Sequence, residues 1–264
     1  MKYEKRVGVP AYEGMEFAGK TREYCVLIPI INEGNRILHE LERAKTAQIS
    51  QVADIVICDG GSTDGCTEEK ILRNLEVNTL LVKQDTGKQG AQLRMGISWA
   101  LERGYKGIIT IDGNDKDSIE DVPHFIEKLK EGYDLIQGSR FVRGGHAENT
   151  PLSRWIAVRF VHAPIISLTA GRWYTDTTNA FRGYSRRYLE HPKVQPLRDE
   201  FMGYELLAYL SVMADRVGLK GCEIPVSRIY PKGEKTPTKI SKWSGNWNLI
   251  VILFKNLFSS YDVK

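Results

Sequence analysis

Five apolar runs of strand length, each released into a polar loop and most followed by a stretch of helical period, constrain this chain more than any other feature. They lie at residues 24–30 (YCVLIPI), 53–59 (ADIVICD), 78–83 (NTLLVK), 107–112 (GIITID) and 133–140 (YDLIQGSR). Between them, Ile37, Leu38, Leu41 and Ala44 share one helical face, as do Leu93, Ile97, Ala100 and Leu101, and again Val122, Phe125, Ile126 and Leu129. Strands that are apolar throughout, rather than alternating, are covered on both faces. The pattern therefore predicts an α/β fold with a mostly parallel sheet and helices on both sides. The right-handed crossover rule leaves few topologies. Functional side chains in such sheets gather at the strand carboxyl ends, where Asn32, Glu33, Asp59, Asp112 and Arg140 stand.

Residues 107–121, GIITIDGNDKDSIED, are the most informative of these ends. A buried strand delivers Asp112, followed by Asn114, Asp115, Lys116 and Asp117. Such oxygens suit a hard divalent cation held against a diphosphate. They also suit a polar loop in which Asp117 or Ser118 caps the next helix. The two readings share the loop without conflict. Asp59 is either a carboxylate for a base or ribose, or a turn former before GGSTDG. Arg140, Arg143, Arg182, Arg228, Lys235 and Lys239 lie near strand ends or in loops, where cations can neutralise phosphates.

Composition narrows the partners. A net charge of +4 is too small to argue for nucleic acid, but tolerates an anionic substrate or membrane surface. The four cysteines form no CxxC pair and the five histidines are scattered, so zinc is not expected. Cys25 and Cys58 fall in strands, which suits the reduced thiols of a cytosolic protein. GxGxxG after the first strand, GxxxxGK[ST] and GxSxG are absent, setting aside a Rossmann cofactor, a P-loop and a serine hydrolase. A calcium loop is disfavoured by Lys116 and by a missing glycine after it. Neither a signal peptide nor a spanning helix is expected.

We divide the chain into an arm (residues 1–22), one domain (23–242) and a C-terminal amphipathic helix (243–264). Residues 155–170 read as an apolar helix broken or kinked at Pro164. Residues 175–189 read as a strand and turn, 201–218 as a helix, 220–231 as a strand and 232–243 as a basic loop. The segment 243–258, with its run LIVILF, lies at a membrane interface or packs on the domain.

Six blocks in order, YCVLIPIINEGNRI, VICDGGSTDG, IDGNDKD, IQGSRFVRGG, TDTTNAFRGYSRRYL and EIPVSRIYPKGEKTPTKIS, resemble those of family-2 glycosyltransferases. The similarity spans residues 24–243 and is greatest to the polyprenyl-phosphate (dolichyl-phosphate mannose synthase-like) branch. The resemblance implies a GT-A fold, a nucleotide-sugar donor and Mg2+ or Mn2+. It puts Pro29, Asn32, Glu33 and Asp59 at the nucleoside, with Gly87 and Lys88 in the Gly-Lys loop. Asp112, Gly113 and Asn114 fall in the DxD block, with Asp112 and Asn114 as metal ligands. Arg140, Arg182, Arg228 and Lys235 or Lys239 fall around the diphosphate and acceptor phosphate, and Glu205 on the acceptor side. Four departures stand out. Ile31 replaces an aromatic, Cys58 takes the first aspartate of DDGS, and Asn114 replaces a carboxylate that Asp115 or Asp117 would have to supplement. The last basic block is stretched.

The expected chemistry is a metal-dependent inverting transfer from a nucleotide sugar, most simply to a polyprenyl phosphate, which is anionic and needs no base. A soluble sugar or natural-product hydroxyl would need one, and Asp176 and Glu205 are the candidates. A non-catalytic nucleotide-sugar-binding protein is the remaining alternative. The expected location is cytoplasmic, with peripheral contact at the cytoplasmic face of the membrane.

Overall fold

A computed structural model describes residues 1–231 and 244–263. In chain order the strands are β1 (Lys2–Tyr3), β2 (Tyr12–Glu16), β3 (Tyr24–Ile30), β4 (Asp54–Asp59), β5 (Thr79–Lys83), β6 (Gly107–Thr110), β7 (Leu135–Ser139), β8 (His146–Glu148), β9 (Arg182–Ser185), β10 (Gly221–Pro225) and β11 (Ser227–Ile229). The helices are α1 (Asn35–Thr46), α2 (Glu69–Asn74), α3 (Gln89–Glu102), α4 (Val122–Lys130), α5 (Leu152–Ala157), α6 (Ala163–Ala170), α7 (Arg186–Leu189), α8 (Glu205–Arg216) and α9 (Ser244–Leu257).

Nine strands form one sheet in the order β1-β2-β5-β4-β3-β6-β9-β7-β10. Strands β5, β4, β3 and β6 are parallel, and β7 and β10 are parallel to each other. Strand β9 lies between β6 and β7 and is antiparallel to both. Strands β8 and β11 pair separately.

The all-apolar strands behave as their composition requires. Cys25 and Leu27 of β3 enter a core with Val56 and Cys58, beneath α3, α6, α8 and α9. Val26, Ile28 and Ile30 point the other way, into a core with Ile55 and Ile57 beneath α1, α2 and α4. Successive side chains thus fill two different cores, one on each face.

Residues 1–22, expected as an arm, extend this sheet instead. Strand β2 pairs antiparallel with β5, and β1 with β2. Val9 and Tyr12 are buried, and Tyr3 stacks on Tyr12 with ring centroids 4.4 Å apart. The apolar helix expected at 155–170 is α5, a π-helical turn (Val158–His162) and α6. Pro164 lies in the first turn of α6, where its missing N–H is tolerated. Helix α9 packs on α6 and α8, burying Ile252, Leu253 and Asn256, while Ile250, Phe254 and, just past its end, Phe258 stay exposed.

Candidate active site

The loop after β6 is built around Gly113. A Cβ there would meet Ile30 Cγ2 at 2.4 Å and Ile28 Cγ2 at 2.9 Å, so only glycine lets the loop lie this close to β3. Asp112 is half-buried beside it. Its Oδ1 accepts from Gln89 Nε2 at 2.7 Å, and its Oδ2 accepts from Arg228 Nη2 at 3.3 Å and Asn114 Nδ2 at 3.4 Å. Asn114 donates its backbone N–H to the Asp112 carbonyl at 2.9 Å, and its buried Oδ1 has no hydrogen-bond partner among the described residues. One held carboxylate next to one orphaned amide oxygen fits a hard cation that keeps waters and borrows phosphate oxygens. Among the described residues no group of three His, Cys, Asp or Glu is placed to hold a metal by itself.

The two carboxylates that were to supplement Asn114 face elsewhere. Asp115, at φ +57°, bonds His39 Nδ1 at 2.5 Å and accepts from Arg43 Nη1 at 2.8 Å, and its N–H donates to Glu40 Oε2 at 2.8 Å. It is anchored to α1. Asp117 is fully buried and paired with Arg228; burial lifts its carboxyl to about 6 even though Arg228 opposes the rise. The expected helix cap differs too. Ser118 bonds Asp121 and the Ser227 carbonyl, and makes no cap bond from its side chain to the following turn.

Where the resemblance places a nucleoside, two strand ends are tied together. Gln92, buried on α3, donates Nε2 to the carbonyls of Ile30 at 2.6 Å and Cys58 at 2.8 Å. Asn32, at φ +49°, donates its N–H to Ser62 Oγ at 2.9 Å and accepts at Oδ1 from Thr63 N–H at 2.8 Å. Asp59 is buried, and both its oxygens accept from Ser62, so the structure shows the turn-forming role. Cys58 is fully buried under Gly96 of α3 and does not face the strand-end loops. Pro29 is partly buried in β3, and Glu33 holds Arg36 at 2.7 Å. Gly87 has φ +108°, and Lys88 is exposed at the start of α3, its N–H donating to the Met202 carbonyl at 2.9 Å.

The basic residues divide into two groups. Arg140 is buried and grips Asp176 with two bonds, Nε to Oδ2 at 2.6 Å and Nη2 to Oδ1 at 2.9 Å, and Nη2 also donates to Thr178 Oγ1 at 3.1 Å. Burial would raise the Asp176 carboxyl, but Arg140 more than offsets it and holds the group below its ordinary value. Arg182 is buried in β9 and donates to the backbone carbonyls of Asn179 and Thr177, both at 2.9 Å, and of Leu207. Arg182 thus spends all three guanidinium nitrogens on backbone carbonyls, Arg140 spends Nε and Nη2 on Asp176 and Thr178, and the fully buried Asp176 is sealed off from any acceptor hydroxyl. Glu205 accepts from the Gly203 N–H at 2.6 Å at the first turn of α8. Arg143 is exposed. Lys235 and Lys239 lie outside the described residues.

The second group surrounds Tyr230. Lys116 Nζ lies 5.5 Å from the ring centroid, and the Arg154 and Arg228 guanidinium carbons lie 5.7 Å from it. Arg154 Nη1 also donates to the phenol oxygen at 3.1 Å. Burial would raise that phenol, but Arg228, Arg154 and Arg140 bring it down to about 8. Burial and Arg228 also lower the Lys116 ammonium. Arg154, Tyr230 and Gln89 escape a reading of the sequence. Arg154 sits in what reads as a polar loop, and no motif links it to a tyrosine 76 positions away.

The sequence profile of "Glycosyl transferase family 2" matches residues 25–191. A polyprenol monophosphomannose synthase of Mycolicibacterium smegmatis is 27% identical over 238 residues, covering 89% of this chain and 86% of the relative. An undecaprenyl-phosphate mannosyltransferase of Micrococcus luteus is 27% identical over 203 residues, covering 76% and 81%. Among solved structures, glucosyl-3-phosphoglycerate synthase from Mycobacterium tuberculosis, in complex with Mn2+, UDP-glucose and phosphoglyceric acid, superposes with a TM-score of 0.64. It is 15% identical over 89% of this chain and 79% of that one.

Proposed function

Because the chain belongs to glycosyl transferase family 2 and has the GT-A fold, it is a glycosyltransferase, and we propose that it transfers a sugar from a nucleotide-sugar donor to a polyprenyl phosphate. The observation that carries this reading is the group of Lys116, Arg154 and Arg228 around Tyr230, joined to the donor loop by the 3.3 Å contact of Arg228 with Asp112. Cations concentrated beside a carboxylate loop suit two anions meeting there, a donor diphosphate and an acceptor phosphate.

In the proposed reaction an acceptor phosphate oxygen supplies the electron pair for a new bond to the anomeric carbon. The bond from that carbon to the donor phosphate oxygen breaks, and its pair leaves with the nucleoside diphosphate. In-line attack inverts the anomeric centre. Because the acceptor is already anionic, no proton has to be taken, which agrees with an Asp176 sealed by Arg140. Gln89 and Arg228 hold the Asp112 carboxylate in place, and Arg154 and Lys116 offset the charge of the incoming phosphate. Asp112 and Asn114 would hold Mg2+ or Mn2+, which when bound supplies positive charge to the leaving diphosphate.

The same reading puts the protein in the cytoplasm, where its four free cysteines stay reduced, with peripheral contact at the membrane that carries the acceptor. Among the described residues no helix is long and apolar enough to cross a membrane. The test is transfer of radiolabelled sugar from a panel of nucleotide sugars to polyprenyl phosphate, with and without Mn2+. We expect transfer with one donor and its loss, by about a hundredfold or more, in Asp112→Ala at unchanged melting temperature. Transfer only to hydroxyl acceptors, or full activity of Asp112→Ala with chelator present, would refute the reading.

A further inference from the structure

The loop from Asp112 to Asp117 carries three carboxylates, and each has an arginine beside it. Asp115 pairs with Arg43 at 2.8 Å, Asp117 pairs with Arg228, and Asp112 meets the same Arg228 at 3.3 Å. Lys116, in the middle of this loop, is the opposite case. It is 5% exposed, and its Nζ makes no hydrogen bond or ion pair among the described residues. It lies 5.5 Å from the Tyr230 ring centroid. Lysine ammonium groups ordinarily reach for water. A buried one without an acid destabilises the empty protein until a ligand supplies the anion.

The backbone roots this ammonium beside the expected metal ligands. The Lys116 carbonyl accepts from the Ile229 N–H at 2.8 Å, and Asp117 bridges to Arg228, so β11 holds the loop at this very residue. Lys116 therefore stands two positions from Asn114, with its side chain at the ring that Arg154 also covers. Charge counting shows what it can do there. Asp112 and Asn114 together bring one negative charge, where a pair of carboxylates would bring two, and Lys116 cancels it. Asp112, Asn114 and Lys116 thus sum to zero without any metal, as two carboxylates do with a divalent cation bound. Arg228 is offset by Asp117. A diphosphate arriving at this loop meets no net repulsion and finds an ammonium whose three donors are unused.

We propose that Lys116 binds the donor diphosphate directly, as a built-in cation that supplies part of the positive charge otherwise left to the metal. The protein then binds a nucleoside diphosphate in the absence of divalent ions. The amide at Asn114 and the ammonium at Lys116 are two halves of one arrangement, in which a lost carboxylate is matched by a nearby cation. The proposal rests on the nucleotide-sugar donor reading and is independent of the acceptor.

The experiment is calorimetric titration of the full chain with UDP and, separately, GDP, in EDTA and in saturating Mn2+, for wild type and Lys116→Met. We expect the wild type to bind one of the two in EDTA. Lys116→Met should lose about ten- to a hundredfold of that metal-free affinity, and less than about threefold of the affinity in Mn2+. Methionine fills similar space without a buried charge, so the melting temperature of the ligand-free protein should hold or rise. A lysine that merely packs on Tyr230 would leave both affinities unchanged in the variant, which overturns the proposal. So does a wild type that binds its nucleotide in Mn2+ and not in EDTA. If neither nucleotide binds under either condition, the donor reading falls and the proposal with it. If metal-free binding behaves as expected while no polyprenyl phosphate is ever glycosylated, Lys116 keeps its role and the acceptor reading falls.

Discussion

Arg140 and Asp176 meet through a two-pronged, fully buried ion pair, and its energetics differ from those of a phosphate-binding arginine. Removing one partner leaves the other charge uncompensated in the interior, at a cost of about 3–5 kcal/mol. Arg140→Ala should therefore lower unfolding free energy by roughly that amount in a denaturant titration, while Arg143→Ala, at an exposed position, should change it by less than about 0.5 kcal/mol. A phosphate-binding Arg140 would show the reverse, lost activity at full stability. Tyr230 gives a second residue-scale test. Its phenol is drawn down to about 8 in the folded protein, from the 10.0 of an ordinary tyrosine. Between those values the unfolded chain still holds the proton that the folded chain has released, so this residue's contribution to stability grows as pH rises. It is fully present above 10.0 and is lost as pH falls through about 8. The stability difference between wild type and Tyr230→Phe should widen across that window, and the wild type should show one extra phenolate absorbance step near its lower end.

At the scale of elements, helix α1 shapes the loop that would hold the metal without touching its ligands. Arg43 reaches Asp115 Oδ1 at 2.8 Å and the Asp117 carbonyl at 3.1 Å, and pairs with Glu120, while buried Glu40 accepts the Asp115 N–H. These bonds hold Asp115 at positive φ, and so fix where Asn114 presents its free amide oxygen. Arg43→Ala should raise the Mn2+ concentration needed for half-maximal nucleotide binding about tenfold, leaving metal-free nucleotide binding unchanged, as outer-shell losses do. Much of this level is legible in the sequence. The end of β6 and its acidic loop announce themselves, because the apolar run 108–111 gives way at Asp112 to a string of polar side chains. The arginines do not. One at a strand end reads alike whether it faces phosphate or is sealed, and what seals Arg140 is an aspartate 36 positions later. Arg182 is harder still, since its three acceptors are backbone carbonyls, which leave no mark in a sequence. Strand β2, YEGME, was invisible for a related reason. It lies next to the sheet's edge, covered only by the two-residue β1, carries a glycine and two glutamates, and buries only Tyr12 and Gly14.

For the whole molecule, the sheet joins two parallel sets across one reversed strand. Strands β6 and β7 are consecutive in the sheet's forward-running series, yet they never pair with each other; each pairs with β9. Thr110 and Gln137 both find Arg182 opposite them, and Ile109 and Ile136 both find Gly183. This arrangement sets an order of events during synthesis. A nascent chain that has emerged only as far as Ser139 holds β3, β4, β5 and β6 in register but has an unfilled slot beside β6. Two bare edges of apolar strand wait there until residue 185 has left the ribosome. A stretch of roughly 45 residues must be translated in that interval, which at common elongation rates lasts several seconds. For that interval the chain is most open to strand-edge association and to chaperones that recognise such edges.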